Sequence, residues 1–339
     1  MNCILKNENA IYYVCGYSND NCIFLSIEGD SYLFTDGRYA IEAREGISKG
    51  EVVIDRDLIT QVSEMIKRYQ PKSIVFDPKE WSVYDFDKLS KIEGVVFEAQ
   101  EDFSHKQRII KTPQEIKLLK RAVTLGLDAF DEFATFVARQ GVGMDEYRLK
   151  YHAQSILGHQ GLYELSFEPI VALAHNTAKP HAMPTEQKLQ EGDLLLIDGG
   201  VKYHRYCSDR TRVMEVGAKM DLALAQNFSS PKMQRVYDTV LKAHDTAIAG
   251  AKSGMKANEI DALARDVIVR AGFGDYFVHG TGHGVGLDIH EMPYITQKSE
   301  TIIEDGMVFT IEPGIYIPNE FGVRIEDMVV MINGRADIL

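Results

Sequence analysis

The chain has 339 residues, 45% apolar and 26% charged, ordinary globular values that allow a full core, and its length suggests about two domains. A formal net charge of −13 argues against a general nucleic-acid binder, which needs a basic face to release counterions from phosphate. The four cysteines (Cys3, Cys15, Cys22, Cys207) lack C-x-x-C spacing, the N-terminus lacks the pattern of a signal peptide, and no apolar run approaches the ~18 residues of a membrane span, so a cytoplasmic protein without nucleic-acid or membrane partners is expected.

The first hundred residues alternate short strands and turns. Cys22-Ile-Phe-Leu-Ser-Ile and Ser31-Tyr-Leu-Phe-Thr flank a turn at Gly29-Asp30 and read as a hairpin. Ile59, Val62, Met65 and Ile66 share one face of a helix from Ile59 to Arg68, and Ser73-Ile-Val-Phe-Asp reads as a buried strand. This part, residues 1–110, is expected to be a small α/β domain.

Thr112-Pro113-Gln114-Glu115 has the form of a capping box with proline at the first helical position. The helix that follows has Ile116, Leu119, Val123, Leu127, Phe130, Ala134 and Val137 as its predicted apolar stripe and ends at Gly141 and Gly143. A second helix is expected from about Asp145 to Leu157. Strands follow at Phe167 to Ala174, Asp193 to Asp198 and Thr211 to Val216, then helices over Lys232 to Ala251 and Ala257 to Gly272. Three strands close the chain, at Met307 to Ile311, Ile315 to Ile317 and Val323 to Met331.

Several polar residues stand out against this apolar background. Asp198 follows four apolar residues and precedes Gly199-Gly200; alone it reads as a turn aspartate. Asp209 lies eleven residues later, and a hairpin loop over 199–208 would make the two aspartates cross-strand neighbours. Two carboxylates that close repel; a metal between them removes the conflict, as would a pair with Arg210 or Arg212. His279-Gly-Thr-Gly-His283-Gly-Val-Gly-Leu-Asp-Ile-His290 packs three of the ten histidines into twelve residues. Its glycines allow close backbone approach, and it lacks the Lys-Ser/Thr of a P-loop. Glu312 ends an apolar strand before Pro313-Gly314. Glu326 lies in an apolar strand, where a glutamate is costly unless paired or bound to metal. Arg324, two residues earlier on the same strand face, offers a plain ion pair instead. Two Asp, one His and two Glu together suit a pair of divalent ions such as Mn²⁺, Co²⁺ or Zn²⁺; the ligand types exclude a thiolate-rich structural zinc.

These residues lie in blocks that resemble the Xaa-Pro peptidases of the methionine-aminopeptidase/creatinase superfamily, metallopeptidase family M24. The matching blocks are Leu33-Phe-Thr-Asp-Gly-Arg-Tyr39, Tyr13-Val-Cys-Gly-Tyr17, Asn176-Thr-Ala-Lys-Pro-His181, Asp198-Gly-Gly, Ser208-Asp-Arg-Thr-Arg, the histidine block and the two Glu strands. The resemblance implies an α+β chain: a creatinase-like N-terminal α/β domain at 1–110 and a pita-bread catalytic domain at 111–339. It implies two divalent ions, manganese first, with cobalt or zinc as alternatives. Asp209 and Glu326 would bridge them, Asp198 would complete one shell, and His283 and Glu312 the other. Glu312 would also move the proton of a bridging water. His290 would stabilise the tetrahedral intermediate, His181 would lie near the leaving side, His279 would line the substrate site, and Arg324 would orient the site carboxylates or the substrate. The implied reaction is hydrolysis of the Xaa-Pro bond at the N-terminus of proline-containing peptides, by a homodimer with Asp36 to Tyr39 near the partner's site.

The sequence departs from the family pattern in three places. Arg205 stands where a small residue is common, and Ala172-Leu-Ala replaces a small Ser-Gly stretch before Asn176. Tyr294 stands where many dipeptidases have an arginine for the dipeptide carboxylate, which favours an aminopeptidase over a strict dipeptidase; Lys298 is a candidate substitute. The alternatives are a prolidase restricted to dipeptides and a non-enzymatic binding member of the fold.

Overall fold

A computed structural model describes residues 1–217 and 219–339; Ala218 lies outside the described residues. The chain divides into two compact units, Met1–Arg108 and Ile109–Leu339. Among the described residues no helix is long and apolar enough to cross a membrane.

The first unit is built on a six-stranded mixed sheet. Across it run Glu51–Ile54, Asp30–Thr35, Cys22–Ile27, Cys3–Leu5, Ser73–Phe76 and Val96–Ala99. Cys22–Ile27 and Asp30–Thr35 form the expected hairpin, turning through Glu28 and Gly29 at φ 49° and 97°. Alternate side chains enter opposite layers. Ile23, Leu25 and Ile27 pack with Val62 and Ile66 of the Leu58–Tyr69 helix, while Phe24 packs with Leu33 and with Ile11 of the Glu8–Cys15 helix. Burial on both faces is why these strands read as apolar runs rather than as alternation.

The second unit opens at the capping box. Thr112 Oγ1 accepts from the Glu115 N–H at 3.3 Å, and the Glu115 carboxylate accepts from the Thr112 N–H at 2.8 Å. The Pro113–Phe136 helix that follows buries a face rotated from the predicted stripe. Leu119, Phe130 and Ala134 are buried as expected, and so is Val137 just beyond the helix, but Ala122, Leu125, Gly126, Ala129 and Phe133 complete the surface. Ile116, Val123 and Leu127 lie half-buried at its margin. Small residues mark the closest approach here: a Cβ on Gly126 would lie 3.3 Å from Ser208 Oγ.

Leu194–Gly199 is the centre of a three-stranded antiparallel sheet, between Arg210–Glu215 and Ile170–Leu173. Leu195 and Ile197 face a core shared with Phe133 and Leu149. Leu194 and Leu196 face a second core with Val236 and Val240 of the Pro231–Gly250 helix. That helix and Ala257–Arg270 also cover a five-stranded antiparallel sheet, ordered Glu291–Ile295, Gly282–Gly284, Val308–Ile311, Asp327–Ile332 and Arg335–Ile338.

The single strand expected over Val323 to Met331 is two. Phe321–Arg324 pairs with Gly314–Ile317, and Asp327–Ile332 belongs to the five-stranded sheet. Ile325 and Glu326 span the step, and the Glu326 N–H donates to Thr211 O at 3.2 Å, joining the step to the three-stranded sheet. Both stretches are buried on both faces, so hydrophobicity does not change where the strand changes sheets. The Arg335–Ile338 edge strand was not anticipated; it is short and mostly exposed.

Candidate metal centre

Asp198 lies opposite Thr211 in the sheet register, and Asp209 is two residues before Thr211. The aspartates are therefore diagonal neighbours on one face, not directly opposed. The loop between them contains a small hairpin of its own, Lys202–Tyr203 with Tyr206–Cys207. A Cβ on Gly200 would fall 1.8 Å from Ser208 O, so only glycine permits this closure. His283 is carried by the Gly282–Gly284 strand, where a Cβ on Gly282 would fall 1.9 Å from Thr310 O. That close approach brings His283 beside Glu312, whose N–H donates to Thr281 O at 2.7 Å. Glu326 enters from the step between sheets.

These five side chains converge. His283 Nε2 lies 3.4 Å from Glu312 Oε1 and 3.6 Å from Asp209 Oδ2. One ligand atom from each of Asp209, His283 and Glu326 lies within 4.8 Å of the others. His283 Nδ1 donates to Gly284 O at 3.1 Å, leaving the Nε2 lone pair facing carboxylate oxygens. Burial holds this imidazole's pKa below its ordinary value, so it is neutral at pH 7. Separations of 3.4–3.6 Å are too long for hydrogen bonds. They are close to the ~3–3.5 Å between two ligands each about 2.1 Å from a shared ion.

The electrostatics also suit cations. Burial, and then the charges of Glu326, Asp198 and Glu312, push the Asp209 carboxyl well above its ordinary range. Burial, Glu312 and Asp198 do the same to Glu326. Burial also raises Glu312. Asp198 Oδ1 and Asp209 Oδ1 are buried with no hydrogen-bond donor, a costly state in the absence of a cation. Four carboxylates face one guanidinium, that of Arg324. The donor set thus fits divalent metal, as oxygen-rich sites with one imidazole do.

Arg324 is committed to this centre and not to a plain pair with Glu326. It is ion-paired with Asp198, its Nε donates to Thr211 Oγ1 at 2.9 Å, and its Nη1 donates to Tyr316 OH at 2.8 Å and Pro180 O at 3.2 Å. Arg210 and Arg212 turn away from the two aspartates and pair with Asp327 at 3.4 and 2.7 Å. His279 lines the cavity, yet both its nitrogens are engaged: Nε2 with Tyr316 OH at 2.9 Å and Nδ1 with Gly280 O at 2.7 Å. His181 and His290 are exposed on the same cavity of about 570 Å³, and His290 packs on the His283 ring at 4.3 Å between centroids.

Sequence reasoning missed Glu146. It follows the N-cap Asp145 and looks like a first-turn acid placed for the helix dipole. It is instead fully buried and accepts from Leu173 N–H, from Asn176 Nδ2, and from the Thr185 N–H and hydroxyl at 2.7–3.0 Å. It clamps the loop that carries Pro180 and His181. Asn176, inside the 176–181 block, was the available signal: a buried amide there needs a partner.

Comparison with known proteins gives the same kinship. Residues 117–333 match Metallopeptidase family M24 and residues 2–110 match the Creatinase/Prolidase N-terminal domain. The chain is 33% identical to an Xaa-Pro dipeptidase of Pyrococcus furiosus over 96% of this chain and 89% of that one. Its structure is similar to that of an Xaa-Pro dipeptidase from Bacillus anthracis (TM-score 0.90, 32% identity, 99% of this chain and 92% of that chain). It is also similar to an X-Pro aminopeptidase from Thermotoga maritima (TM-score 0.86, 29% identity, 99% and 94%). The chain belongs to metallopeptidase family M24, with the pita-bread fold behind a creatinase-type N-terminal domain.

Proposed function

We propose that this M24 metallopeptidase hydrolyses the Xaa-Pro bond at the N-terminus of peptides, using Asp198, Asp209, His283, Glu312 and Glu326 to hold two divalent cations. The observation that carries the hydrolytic reading is the neutral His283 Nε2 facing buried carboxylates at the floor of one cavity. The relatives named for Xaa-Pro peptides support the choice of proline. Bound there, the cations supply Lewis-acid polarisation and acidify water; manganese is the first candidate, cobalt and zinc the others.

The chain's own groups divide the remaining work. Glu312, raised by burial, accepts a proton and returns it to the leaving nitrogen. His290 is held neutral by burial and by His283 beside it, so it serves as a hydrogen-bond donor to the developing oxyanion, a contribution of about 3 kcal/mol. His181, exposed on the cavity, lies on the leaving side. Arg324 orients Asp198, and His279 acts through Tyr316 rather than by direct polar contact with substrate. Phe167, Ile170 and Ile289 give the cavity an apolar wall for the proline ring.

Four buried free cysteines fit a reducing compartment, the cytoplasm. A homodimer is expected, and Arg38 and Ile41, about 70% exposed in and beside the 33–39 motif, are available for it. A fully active monomer by light scattering would reject that. The test of function compares Ala-Pro, Ala-Pro-Ala and Ala-Ala-Ala after loading with Mn²⁺, Co²⁺ or Zn²⁺. Proline peptides should be cleaved and Ala-Ala-Ala spared; equal rates on Ala-Pro-Ala and Ala-Ala-Ala would defeat the proline assignment.

A further inference from the structure

Positive charge is scarce in the cavity. Among the described residues, only Arg324 and Lys150 bring lysine or arginine to its lining. Arg324 is spent on Asp198, Thr211, Tyr316 and Pro180. Tyr294 lines the cavity without a charge, and Lys298 is exposed and outside the lining. Among the described residues of the lining, Lys150 is therefore the one ammonium able to meet an anionic end of a substrate.

Its setting suits that task. Lys150 lies one turn into the Glu146–Leu157 helix, anchored by the buried Glu146. Its Nζ is 3.1 Å from Glu168 Oε2, and Glu168 also accepts from Gln154 Nε2 at 2.6 Å. The Lys150 side chain is 22% exposed and that of Glu168 73%. An ion pair with so exposed a partner is weak, so the ammonium can exchange Glu168 for another carboxylate. Position agrees with chemistry. Ile170 is the register partner of Asp198, and Glu168 is two residues before it, at most about 7 Å along the chain. A dipeptide is about the same length.

Resting on the Xaa-Pro reading, we propose that Lys150 is a specificity-determining residue that binds the free C-terminal carboxylate of an Xaa-Pro dipeptide, displacing Glu168. It takes the place of the arginine that Tyr294 lacks, from a different element of the fold. A substrate with a neutral end leaves the Lys150–Glu168 pair intact and gains nothing. With Lys150 removed, Glu168 remains and repels an incoming carboxylate.

The experiment measures kcat/KM for Ala-Pro and for Ala-Pro amide in the metal-loaded wild type, Lys150→Met, Lys150→Gln, Lys150→Arg and the double variant Lys150→Met/Glu168→Gln. The free-acid to amide ratio should fall about tenfold to a hundredfold in Lys150→Met and Lys150→Gln, the scale of one hydrogen bond to a charged group. It should survive in Lys150→Arg and recover in part in the double variant. A ratio unmoved by Lys150→Met, or a parallel loss on acid and amide, overturns the proposal; the parallel loss would point to Glu168 and the substrate amine instead. If the wild type cleaves neither compound, the Xaa-Pro reading itself fails. If it cleaves both and the ratio does not move, only the role of Lys150 fails.

Discussion

The guanidinium of Arg324 is ion-paired with Asp198, so the Phe321–Arg324 strand fixes a carboxylate that belongs to the three-stranded sheet. The same side chain donates to Thr211 Oγ1, and the Thr211 hydroxyl donates to Glu326 Oε2 at 2.6 Å. One cation thus sets the orientation of two of the four carboxylates. Removing it as Arg324→Met should lower metal affinity or kcat by about 10–100-fold, the usual cost of losing a partner behind a metal ligand. Arg324→Lys keeps the charge but not the fork and should recover only part. Calorimetric Mn²⁺ titration alongside kcat would read both; wild-type values in Arg324→Met would mean that Asp198 needs no such support.

The strain of crowded carboxylates should show itself when metal is stripped. The Asp209 carboxyl is raised by burial and by Glu326, Asp198 and Glu312, so it holds its proton more tightly folded than unfolded. The stability it contributes is complete below the unfolded value, about 3.9, and is lost as pH rises through the raised folded value. Asp209→Asn cannot ionise and escapes that loss. In EDTA-treated protein the variant should match wild type near pH 4 and melt higher by several degrees at pH 8, at roughly 2–4 °C per kcal/mol. Mn²⁺ should raise the wild-type Tm and leave the variant's nearly unchanged. Calorimetry near pH 4 and at pH 8 decides it: a metal-free variant less stable than wild type at pH 8 contradicts the account.

How much of this was visible beforehand depends on whether the signal is local. The Thr112 capping box and the hairpin are local chemistry and were readable as such, though the turn falls at Glu28–Gly29, one residue before the expected Gly29–Asp30. Glu326 stood out because a glutamate within an apolar strand is costly unless paired or bound to metal, whereas Asp198 alone read as a turn aspartate and drew notice only beside Asp209 and the histidine block. The step at Ile325–Glu326 was hidden because the residues on both sides are equally buried. The buried helix face at Ala122, Leu125 and Ala129 was hidden because bulk, not closeness of packing, dominates a hydrophobic pattern. His279 lines the cavity, but a sequence does not say that Tyr316 and Gly280 already occupy its nitrogens.

Glu146 gives a test of positioning at a distance from the chemistry. Its carboxylate receives only donors, from Leu173, Asn176 and Thr185. In Glu146→Gln one oxygen becomes an amide that faces donors with donors. The expected cost is about 1–3 kcal/mol of stability, that of a buried unsatisfied group. Activity should fall as well, because the clamped loop carries His181 and presents Pro180 O to Arg324. Chemical denaturation and kcat measured together are informative: activity lost without loss of stability would place Glu146 in the reaction, not behind it.

The Ala172-Leu-Ala stretch carries an unusual backbone conformation at its last residue. Ala174 adopts φ 44°, in the left-handed region where a Cβ meets the neighbouring backbone. For an L-residue other than glycine, asparagine or aspartate this costs about 1–2 kcal/mol. Glycine would relieve it and lose about 0.5–1 kcal/mol through its freer unfolded chain. Ala174→Gly should therefore be neutral to stabilising by up to about 1 kcal/mol. The same change at Ala172, fully buried in the Ile170–Leu173 strand, should destabilise. The strained residue directly precedes the loop that Glu146 clamps, so the clamp and the strain oppose each other. Ala174→Gly should accordingly soften the loss in Glu146→Gln, and a double-mutant cycle with a coupling of zero would separate the two effects.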